Sequence, residues 1–550
     1  MEAPQDPAQW RLGYRVTELT IGHVVADQAR RHAERTYLDY LPDGRHLSYG
    51  ELHTQSNRLA NGLLRAGIAQ GMHVAVMLEN CPEQLLLYVA LGKIGAVAVP
   101  INTAARGQLL QYYLAHADTV ALVTDASLLP HVAEVIPQLP ELRCVMRLPH
   151  AGTADDGATA LGEVPLLRYA QLLEAPDTTP EIAVKFSDLA FLLYTSGTTG
   201  PSKAIMFTHA YALLYGIDQA ENYGFFDGDV IHVCLPLFHA NGLLSHCYGA
   251  LVVGARVALV RRFSASNFWR EVRDSGATVL SLLGSMANIL WSLPARPDDA
   301  DNQVRQATIA PVPSARTEFE KRYGLRILST YGLTDYGLGA IYKLDAPASK
   351  LGSAGRARRG MQLRIVDEND MPQPPGEVGE IVMRSEYAWN TASGYYKMPE
   401  ATLASRRNMW FHTGDRGYLD EDGYLFFADR KKDAIRRRGE NVSAFEVEQA
   451  IVSHAAVADV AVFPVSTPLG EDEVAAAIVL AEGARLTEAE VIAHCQRNLA
   501  YFMVPRYLRF LADLPRSATH KVEKHKLREE AQAALGSWWD REGAGIKLRR

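Results

Sequence analysis

The sequence predicts an α/β protein in which mainly parallel sheets are covered by helices on both faces. Short apolar runs rich in β-branched residues recur along residues 1–430, and helical patterns separate them. The runs are continuous and do not alternate between apolar and polar residues. Continuous apolar strands joined by helices are typical of sheets that are buried on both sides. We therefore expect a large N-terminal domain built from stacked sheets and helices.

Six apolar runs are predicted to form strands of these sheets. Between residues 52 and 66, apolar positions lie near one helical face, which predicts a helix before the first run. Leu85–Ile101 is predicted to be a buried helix that leads into a strand, because Lys93 and Pro100 interrupt it and it is too short to span a bilayer. The predicted strands cover residues 73–78, 96–101, 119–125, 230–235, 252–260 and 278–283.

The chain length requires more than one domain. A chain of 550 residues exceeds the size at which a single core stops growing, about 250–300 residues. Short strands with glycine-containing turns between Gly376 and Tyr424 predict a small β-rich subdomain. A charged segment at 429–448 is followed by βαβ-like material at 457–465 and 473–481. We predict a large domain of residues 1–430 and a small α+β domain of residues 431–550.

Charge and cysteine content exclude some functions and favour one compartment. The net charge of −7 does not suit non-specific nucleic-acid binding, which needs a concentrated basic face. The five cysteines form no CxxC pair, so a disulfide framework or zinc cluster is not expected and a reducing cytoplasm is favoured. The polar N-terminal segment shows no secretory signal. We expect a cytoplasmic protein with no membrane span, and the sequence leaves a homodimer open.

The most informative segment is a glycine- and hydroxyl-rich loop after an apolar strand. The run LAFLLYTSGTTGPSK ends at Lys203. Glycines let backbone N–H groups turn inward, hydroxyls add donors and lysine adds positive charge, which suits a polyphosphate. Ala204 follows the lysine, so this is not a Walker A loop. A surface turn is the alternative. The candidate phosphate-binding residues are Thr195, Ser196, Gly197, Thr198, Thr199 and Lys203.

Further motifs follow this loop in a fixed order, and together they resemble one family. These motifs are YGLTD (331–335), GE (379–380), WFHTGDRGYLDEDGYLFFADRKKD (410–433) and PRSATHKVEKHKLR (515–528). Over roughly residues 20–530 the chain resembles the adenylate-forming superfamily, which includes acyl-CoA synthetases, non-ribosomal adenylation domains and luciferases. It is most similar to the AMP-forming acyl-CoA ligases. The resemblance implies ATP, Mg²⁺ and coenzyme A as ligands and a mobile small domain.

The resemblance also implies a role for each residue of the nucleotide site. Tyr331, in a short loop, would stack on adenine, with Gly332 and Thr334 beside it, whereas a core aromatic is the alternative. Asp415 would bind the ribose hydroxyls or else form a turn. Arg430 would contact ribose and phosphate or remain a solvated boundary charge. Asp335, where the family usually has Glu, would bind Mg²⁺ through an oxygen.

Two lysines are implied to serve the reaction and the domain movement. Lys521 corresponds to the catalytic lysine of the C-terminal motif, although His520 replaces the usual glycine before it. Lys524 and Lys526 make a lysine-rich solvated face the alternative. Lys432 corresponds to the hinge between the domains, where the backbone must change its dihedral angles.

The sequence indicates the acyl and coenzyme A sites less clearly than the nucleotide site. The segment PLFHANGL has His239 where amino-acid-activating relatives have an aspartate, which disfavours an α-amino acid substrate. The resemblance implies that IAPVPS (309–314) stands where the family has a glycine-rich wall beside adenine. The resemblance places the acyl substrate near His239, Asn241, Gly242, Ala310 and Gly337, and coenzyme A near Arg437, Arg438 and Gly439. A solvated face is the alternative for the arginine run.

We predict an ATP- and Mg²⁺-dependent carboxylic acid:CoA ligase that forms AMP through an acyl-adenylate. Its partners are a small-molecule carboxylic acid, ATP and CoA. One alternative is transfer of the acyl group to a separate carrier protein, and another is a luciferase-like oxygenase. A third is a non-catalytic nucleotide- or acyl-binding relative. The acid itself cannot be read from residue spacing.

Overall fold

A computed structural model describes most of the chain. It covers residues 6, 9–149, 157–195, 201–310, 312–313, 315–430, 435–437, 439–467, 471–515 and 522–548, with the backbone alone at 429–430. The elements up to the glycine-rich segment are β1 (Trp10–Arg11), β2 (Tyr14–Arg15), α1 (Ile21–His32), β3 (Thr36–Tyr40), β4 (Arg45–Ser48), α2 (Tyr49–Arg65), β5 (His73–Met77), α3 (Pro82–Lys93), β6 (Val97–Pro100), α4 (Gly107–His116), β7 (Thr119–Asp125), α5 (Leu129–Val135), β8 (Cys144–Leu148), β9 (Ala160–Leu161), β10 (Val164–Arg168), α6 (Tyr169–Leu172) and β11 (Leu189–Thr195).

The next elements include one π-helix, Asn241–Tyr248, which lies between β13 and α8. They are β12 (Lys203–Thr208), α7 (His209–Tyr223), β13 (Val230–Val233), α8 (Gly249–Val253), β14 (Arg256–Leu259), α9 (Phe268–Ser275), β15 (Val279–Leu283), α10 (Gly284–Ser292), β16 (Gln306–Ala310), α11 (Arg316–Tyr323), β17 (Arg326–Leu333), β18 (Gly337–Tyr342), β19 (Arg356–Ala357), β20 (Met361–Val366), β21 (Gly379–Ser385), α12 (Pro399–Ala404), β22 (Phe411–Leu419) and β23 (Leu425–Arg430).

The C-terminal part contributes a short hairpin and a second group of strands and helices. These are β24 (Ile435–Arg437), β25 (Glu440–Val442), α13 (Ala444–Val452), β26 (Val457–Ser466), β27 (Asp472–Leu480), α14 (Glu488–Asn498), β28 (Tyr507–Phe510), α15 (Lys524–Ala533) and β29 (Trp539–Asp540). Short 3₁₀ turns cover Val16–Glu18, Ala126–Leu128, Ile136–Gln138, Ala348–Lys350, Arg407–Met409 and Leu535–Ser537.

Two large sheets form the core of the N-terminal part. The first sheet has eight strands in the order β12-β11-β6-β5-β7-β8-β10-β9, and the second has nine in the order β19-β18-β17-β16-β15-β13-β14-β3-β4. The central strands of both sheets are parallel, and antiparallel strands occur at the edges. The α/β fold class predicted from the apolar runs is confirmed.

The predicted strands match the observed ones except at one position. Residues 252–260 were expected to form one strand, but α8 ends at Val253 and only Arg256–Leu259 form β14. A short apolar run fits a buried helix and a buried strand equally well, so its periodicity could not separate them. The predicted helix and strand within Leu85–Ile101 are present as α3 and β6.

The smaller sheets differ in part from the expectation. The β-rich subdomain is the antiparallel sheet β20-β21-β22-β23. The material predicted to be βαβ-like is instead a hairpin, because β26 pairs directly and antiparallel with β27, before β28 joins β27 in parallel. A parallel crossover needs a dozen or more connecting residues, and the segment between β26 and β27 is shorter.

The ends of several parallel strands meet beside the C-terminal part. Strands β13, β15, β16 and β17 run in the same direction, so their carboxyl ends lie along one edge of the second sheet. Ligands of open α/β sheets bind at such edges. Within the part of the chain that the structure describes, no helix is long and apolar enough to cross a bilayer.

Candidate active site

A cavity of about 1520 Å³ opens at the carboxyl ends of these strands. Its lining comes from the end of β11, from α7 and the π-helix, from β15 to β17, from β22 and from the C-terminal hairpin β24–β25. Most of the predicted site residues that the structure describes meet here. Those that line the cavity are Thr195, His239, Asn241, Ala310, Tyr331, Gly332, Thr334, Asp415 and Gly439.

The residues predicted to hold adenosine contact one another. Tyr331 donates its hydroxyl hydrogen to Asp415 Oδ2 at 2.9 Å, and both side chains are buried. Tyr331 lies within strand β17 and not in the expected short loop, because this strand continues into a hairpin with β18. Asp415 lies in β22, opposite the backbone of Arg430 in β23. The sheet register therefore brings the two predicted ribose contacts side by side.

Replacing Asp415 with Ala should remove most of the ATP-induced rise in melting temperature. The carboxylate can accept two ribose hydroxyls, and hydrogen bonds to a charged group contribute about 1.5–3 kcal/mol each, so ATP affinity should fall roughly 100-fold. Thermal-shift titration with ATP measures this. Tyr331→Phe is the control, because it keeps the ring and removes only the bond to Asp415. Equal ATP shifts in wild type and Asp415→Ala would exclude Asp415 as the ribose ligand.

Asp335 lies in a cluster with Lys203 and Tyr395, outside the cavity lining. The Tyr395 hydroxyl donates to its carboxylate, and the Lys203 ammonium lies 4.7 Å from the centre of the Tyr395 ring. Burial raises the pKa of Asp335 above its usual value, and the Tyr395 hydrogen bond and the Lys203 charge oppose that shift. The sequence analysis missed Tyr395, since only the tertiary contact links it to YGLTD.

The donors near Asp335 suit magnesium only in part. A carboxylate oxygen is a ligand that Mg²⁺ prefers. No group of three or more acidic, histidine or cysteine side chains that could hold a metal occurs among the described residues. Mg²⁺ characteristically takes one or two carboxylates and completes its shell with phosphate oxygens and water. The single carboxylate is therefore compatible with a metal carried by ATP.

His239 connects the cavity to the C-terminal part of the chain. Its Nε2 lies 2.9 Å from Glu440 Oε2 and 3.1 Å from Oε1. Burial alone would lower the pKa of His239, but the Glu440 carboxylate outweighs it and raises that pKa. Asn102 also approaches Glu440, at 3.4 Å. The two parts of the chain are thus joined at the mouth of the predicted acyl site.

Two glycines that were predicted to contact the acyl substrate lie behind the residues that line the cavity. A Cβ on Gly242 would lie 2.7 Å from the carbonyl oxygens of Leu235 and Pro236, so the π-helix can pack on this turn only through glycine. Gly337 has φ of +75°, which the turn between β17 and β18 requires. Neither residue lines the cavity, and their contact with the acyl substrate stays a prediction.

The predicted coenzyme A residues separate into different environments. Gly439 reaches the cavity with φ of +80°, and a Cβ there would lie 2.1 Å from the Leu283 Cδ1 atom. Arg437 is only 1% exposed, pairs with Glu473 at 2.7 Å and donates to the carbonyls of Phe502 and Val504. The Arg437 guanidinium therefore contacts groups inside the C-terminal part. The contact of Arg437 with coenzyme A stays a prediction.

Glu446 is a site residue that the sequence analysis missed. It lies in the first turn of α13, and its Oε1 accepts a hydrogen bond of 2.8 Å from the backbone N–H of Ser202, beside the predicted phosphate loop. Burial raises the pKa of Glu446 to about 7, although the Ser202 hydrogen bonds favour the charged form. The pattern S-x-x-E at 443–446 signals a helix start, but it does not reveal this contact.

Glu446→Gln should change how stability depends on pH. A carboxyl whose pKa is raised in the folded state destabilises the protein progressively as pH increases from its unfolded value of about 4.3 to about 7. The neutral amide avoids this loss of up to roughly 3 kcal/mol. The melting-temperature advantage of the variant should therefore grow between pH 5 and pH 8. Glu482→Gln, at an exposed position, is the control, and a constant difference across this range would contradict the assignment.

Several predicted residues lie outside the described part of the chain. They are Ser196, Gly197, Thr198, Thr199, Lys432, Arg438 and Lys521, and the Arg430 side chain is not described. The two lysines that compete with Lys521 are described. Lys524 pairs with Glu448 and Lys526 with Glu523, each at 2.6 Å. Their ion pairs favour structural roles for both lysines.

Two family models and several curated relatives match most of the chain. The model described as AMP-binding enzyme matches residues 25–396, and the AMP-binding enzyme C-terminal domain matches residues 446–521. The crotonobetaine/carnitine–CoA ligase of Salmonella typhi is 34% identical over 488 residues, which cover 88% of this chain and 93% of that protein. The corresponding ligase of Salmonella typhimurium is 33% identical over the same length.

Solved structures show the same architecture. A double mutant of the o-succinylbenzoate CoA synthetase of Bacillus subtilis, bound to a product analogue, matches with a TM-score of 0.79 and 26% identity over 92% of this chain and 98% of that one. The amide bond synthetase of Marinactinospora thermotolerans matches with a TM-score of 0.77 and 26% identity, over 93% and 99% of the two chains.

The chain belongs to the AMP-binding enzyme family. This confirms the predicted adenylate-forming superfamily and the enzyme class, an AMP-forming acid–thiol ligase.

Proposed function

We propose that this enzyme joins a small carboxylic acid to coenzyme A in two steps, with an acyl-adenylate between them. The observation that carries the proposal is the single cavity shared by the Tyr331–Asp415 pair, His239 and Gly439. Nucleotide, acyl and thiol sites must meet in one place for an acyl group to pass between them. The curated relatives that match most of the chain are CoA ligases, which supports ATP and CoA as co-substrates.

In the first step a carboxylate oxygen attacks the α-phosphorus of ATP, and the bond to pyrophosphate breaks. Asp415 and Tyr331 would hold the adenosine, while Thr195, Thr334 and the phosphate loop would hold the phosphates. The charge of Lys203 opposes the rise in the pKa of Asp335, so its ammonium group lies where it would also offset negative charge on the phosphates. Lys521 would orient the carboxylate against the α-phosphate and offset the developing charge.

In the second step the sulfur of coenzyme A, having lost its proton, attacks the acyl carbon, and AMP leaves. The hairpin β24–β25 would form part of the thiol path, since Gly439 and Glu440 both line the cavity. The His239–Glu440 contact would hold the hairpin against the acyl site. Gly439 permits the close approach to Leu283 that this arrangement needs.

Magnesium would enter with ATP. Asp335 is the candidate protein ligand, and the metal would neutralise phosphate charge in the first step. The Tyr395 hydroxyl would orient the Asp335 carboxylate toward it.

We also propose that residues 1–430 and 431–550 are the moving units, with Lys432 at the hinge. The contacts His239–Glu440 and Ser202–Glu446 join these units in the described arrangement. A second arrangement, in which the two units rotate against each other, would break both contacts.

The proposal is tested with purified protein, ATP and a library of carboxylic acids. With an accepted acid and CoA present, AMP and acyl-CoA should form in equal amounts. Without CoA, one equivalent of acyl-AMP should form and turnover should stall, because the adenylate stays bound. Liquid chromatography with mass spectrometry measures all three products. If CoA does not change AMP production at saturating acid and ATP, the acceptor is not CoA.

A further inference from the structure

One region of the cavity is unusually polar for a site that binds an acyl group. Tyr215, Gln219 and Tyr223 follow one another at four-residue spacing along α7, so they share one face of that helix. Ser281 of β15 and Thr308 of β16 are paired neighbours in the second sheet. All five residues line the cavity. We call them the polar floor.

Part of the polar floor has no hydrogen-bond partner. Gln219 and Ser281 are each only 4% exposed. Among the described residues, neither Gln219 Oε1 nor Ser281 Oγ meets a hydrogen-bonding group. Buried polar atoms are nearly always paired, and the few that are not point to a missing partner. Because these two side chains line a cavity, a ligand can supply that partner.

The other members of the polar floor are one threonine and two tyrosines. Thr308 Oγ1 also has no hydrogen-bond partner among the described residues. Burial raises the pKa of Tyr215 and of Tyr223, so both hydroxyls keep their protons. Gln219 lies between the two tyrosines on α7 and can donate or accept a hydrogen bond through its amide.

The positions of charged side chains in the cavity indicate which class of ligand the polar floor can bind. The carboxylates that line the cavity in the described part of the chain belong to other segments, and none is on α7, β15 or β16. They are Glu79, Asp125, Asp415, Glu440, Glu446 and Asp472. Arg316, which also lines the cavity, donates through Nε to Glu320 and through Nη2 to the Ile327 carbonyl. The five side chains of the polar floor are themselves uncharged, so the floor offers hydrogen bonds from neutral groups.

We propose that the acid accepted by this enzyme carries an uncharged hydrogen-bonding group, a hydroxyl or an amide, at a position remote from its carboxylate. This proposal rests on the proposed function. The carboxylate must react at the nucleotide, beside Tyr331 and Thr334, and the polar floor lines the same cavity, where the rest of the acid would lie. A simple alkyl acid would bury Gln219 and Ser281 without partners, and a site built to hydrogen-bond a substrate rejects analogues that lack the group.

A matched acid panel tests the substrate class. ATP–pyrophosphate exchange is measured for straight-chain acids of equal length that end in methyl, hydroxyl, carboxamide, trimethylammonium or carboxylate groups. The best hydroxyl or carboxamide acid should exceed its methyl counterpart by about tenfold or more in kcat/KM. A preference for the methyl, trimethylammonium or carboxylate series would overturn this proposal and leave the ligase function standing. No exchange with any acid would contradict the proposed function itself.

Variants of the polar floor identify the residues responsible. Gln219→Leu and Ser281→Ala should lower kcat/KM for the polar acid about tenfold, while activity with the methyl acid stays equal or rises. Gln219→Glu should raise activity with the trimethylammonium acid, because it adds the missing negative charge. The ATP-induced thermal shift, which reports a folded nucleotide site, should be unchanged in all three variants. Equal losses for polar and methyl acids in a variant with a normal thermal shift would contradict the assignment.

Discussion

Lys521→Ala should lose acyl-adenylate formation by several orders of magnitude and still convert supplied acyl-AMP and CoA to acyl-CoA at a similar rate. An interaction that is made only in one transition state affects only that step. We propose that the lysine reaches the reacting carboxylate and phosphate during adenylation alone. Pyrophosphate release measures the first step, and thioester formation from synthetic acyl-AMP measures the second.

Lys524→Ala and Lys526→Ala are the matched controls. Each of these lysines has a carboxylate partner, Glu448 for Lys524 and Glu523 for Lys526. Surface ion pairs contribute about 0–1 kcal/mol, so both variants should keep adenylation near the wild-type rate. An adenylation defect in Lys524→Ala in place of Lys521→Ala would show that the catalytic lysine is misassigned. Equal loss of both steps in Lys521→Ala would contradict the two-arrangement mechanism.

Gly439→Leu should have the opposite effect and impair thioester formation by about 100-fold while adenylation persists. A side chain at φ of +80° costs roughly 1–2 kcal/mol, and overpacking against Leu283 costs typically 1–3 kcal/mol more. Both costs arise in the described arrangement, where the hairpin enters the cavity. The same two half-reaction assays measure the result.

Leu283→Ala combined with Gly439→Leu provides the control. The double variant removes the atom that the new Cβ would meet at 2.1 Å, so thioester formation should recover in part. The backbone strain remains, and recovery should therefore be incomplete. If Gly439→Leu reduces both half-reactions equally, the close approach to Leu283 does not belong to the thioester step alone.

Local patterns were sufficient to predict most of the strands. Continuous apolar runs such as 119–125 form strands because burial on both faces imposes the same requirement along the whole run. The motif around Asp415 predicts that this residue lies beside the nucleotide. Its hydrogen bond with Tyr331 spans 84 residues and was not predicted. The hairpin β26–β27 was wrongly predicted to be βαβ-like, because apolar strands alone do not specify whether they pair in parallel or antiparallel.

Side-chain environments at the meeting of the two parts could not be predicted. Arg437 lies in a run of arginines, which predicts a solvated or phosphate-binding face. In the structure its guanidinium is buried and contacts backbone carbonyls and Glu473. Gly337 reads as a substrate contact from its motif, but its positive φ serves a turn. The environments of Arg437 and Gly337 depend on which segments pack together. The spacing of residues along the chain does not predict that packing.

The sequence by itself determined the α/β class, the order of the motifs and the family, because these depend on residue types within short segments. The tertiary structure alone decided which distant groups share an environment. Ser202 and Glu446 are 244 residues apart, and His239 and Glu440 are 201 apart. The residues next to each carboxylate in the sequence do not predict either contact. A carboxylate on a helix or hairpin can be hydrated by water, or it can accept a hydrogen bond from a buried donor. Burial then sets the raised pKa of Glu446, because desolvation penalises the charged carboxylate wherever the fold excludes water.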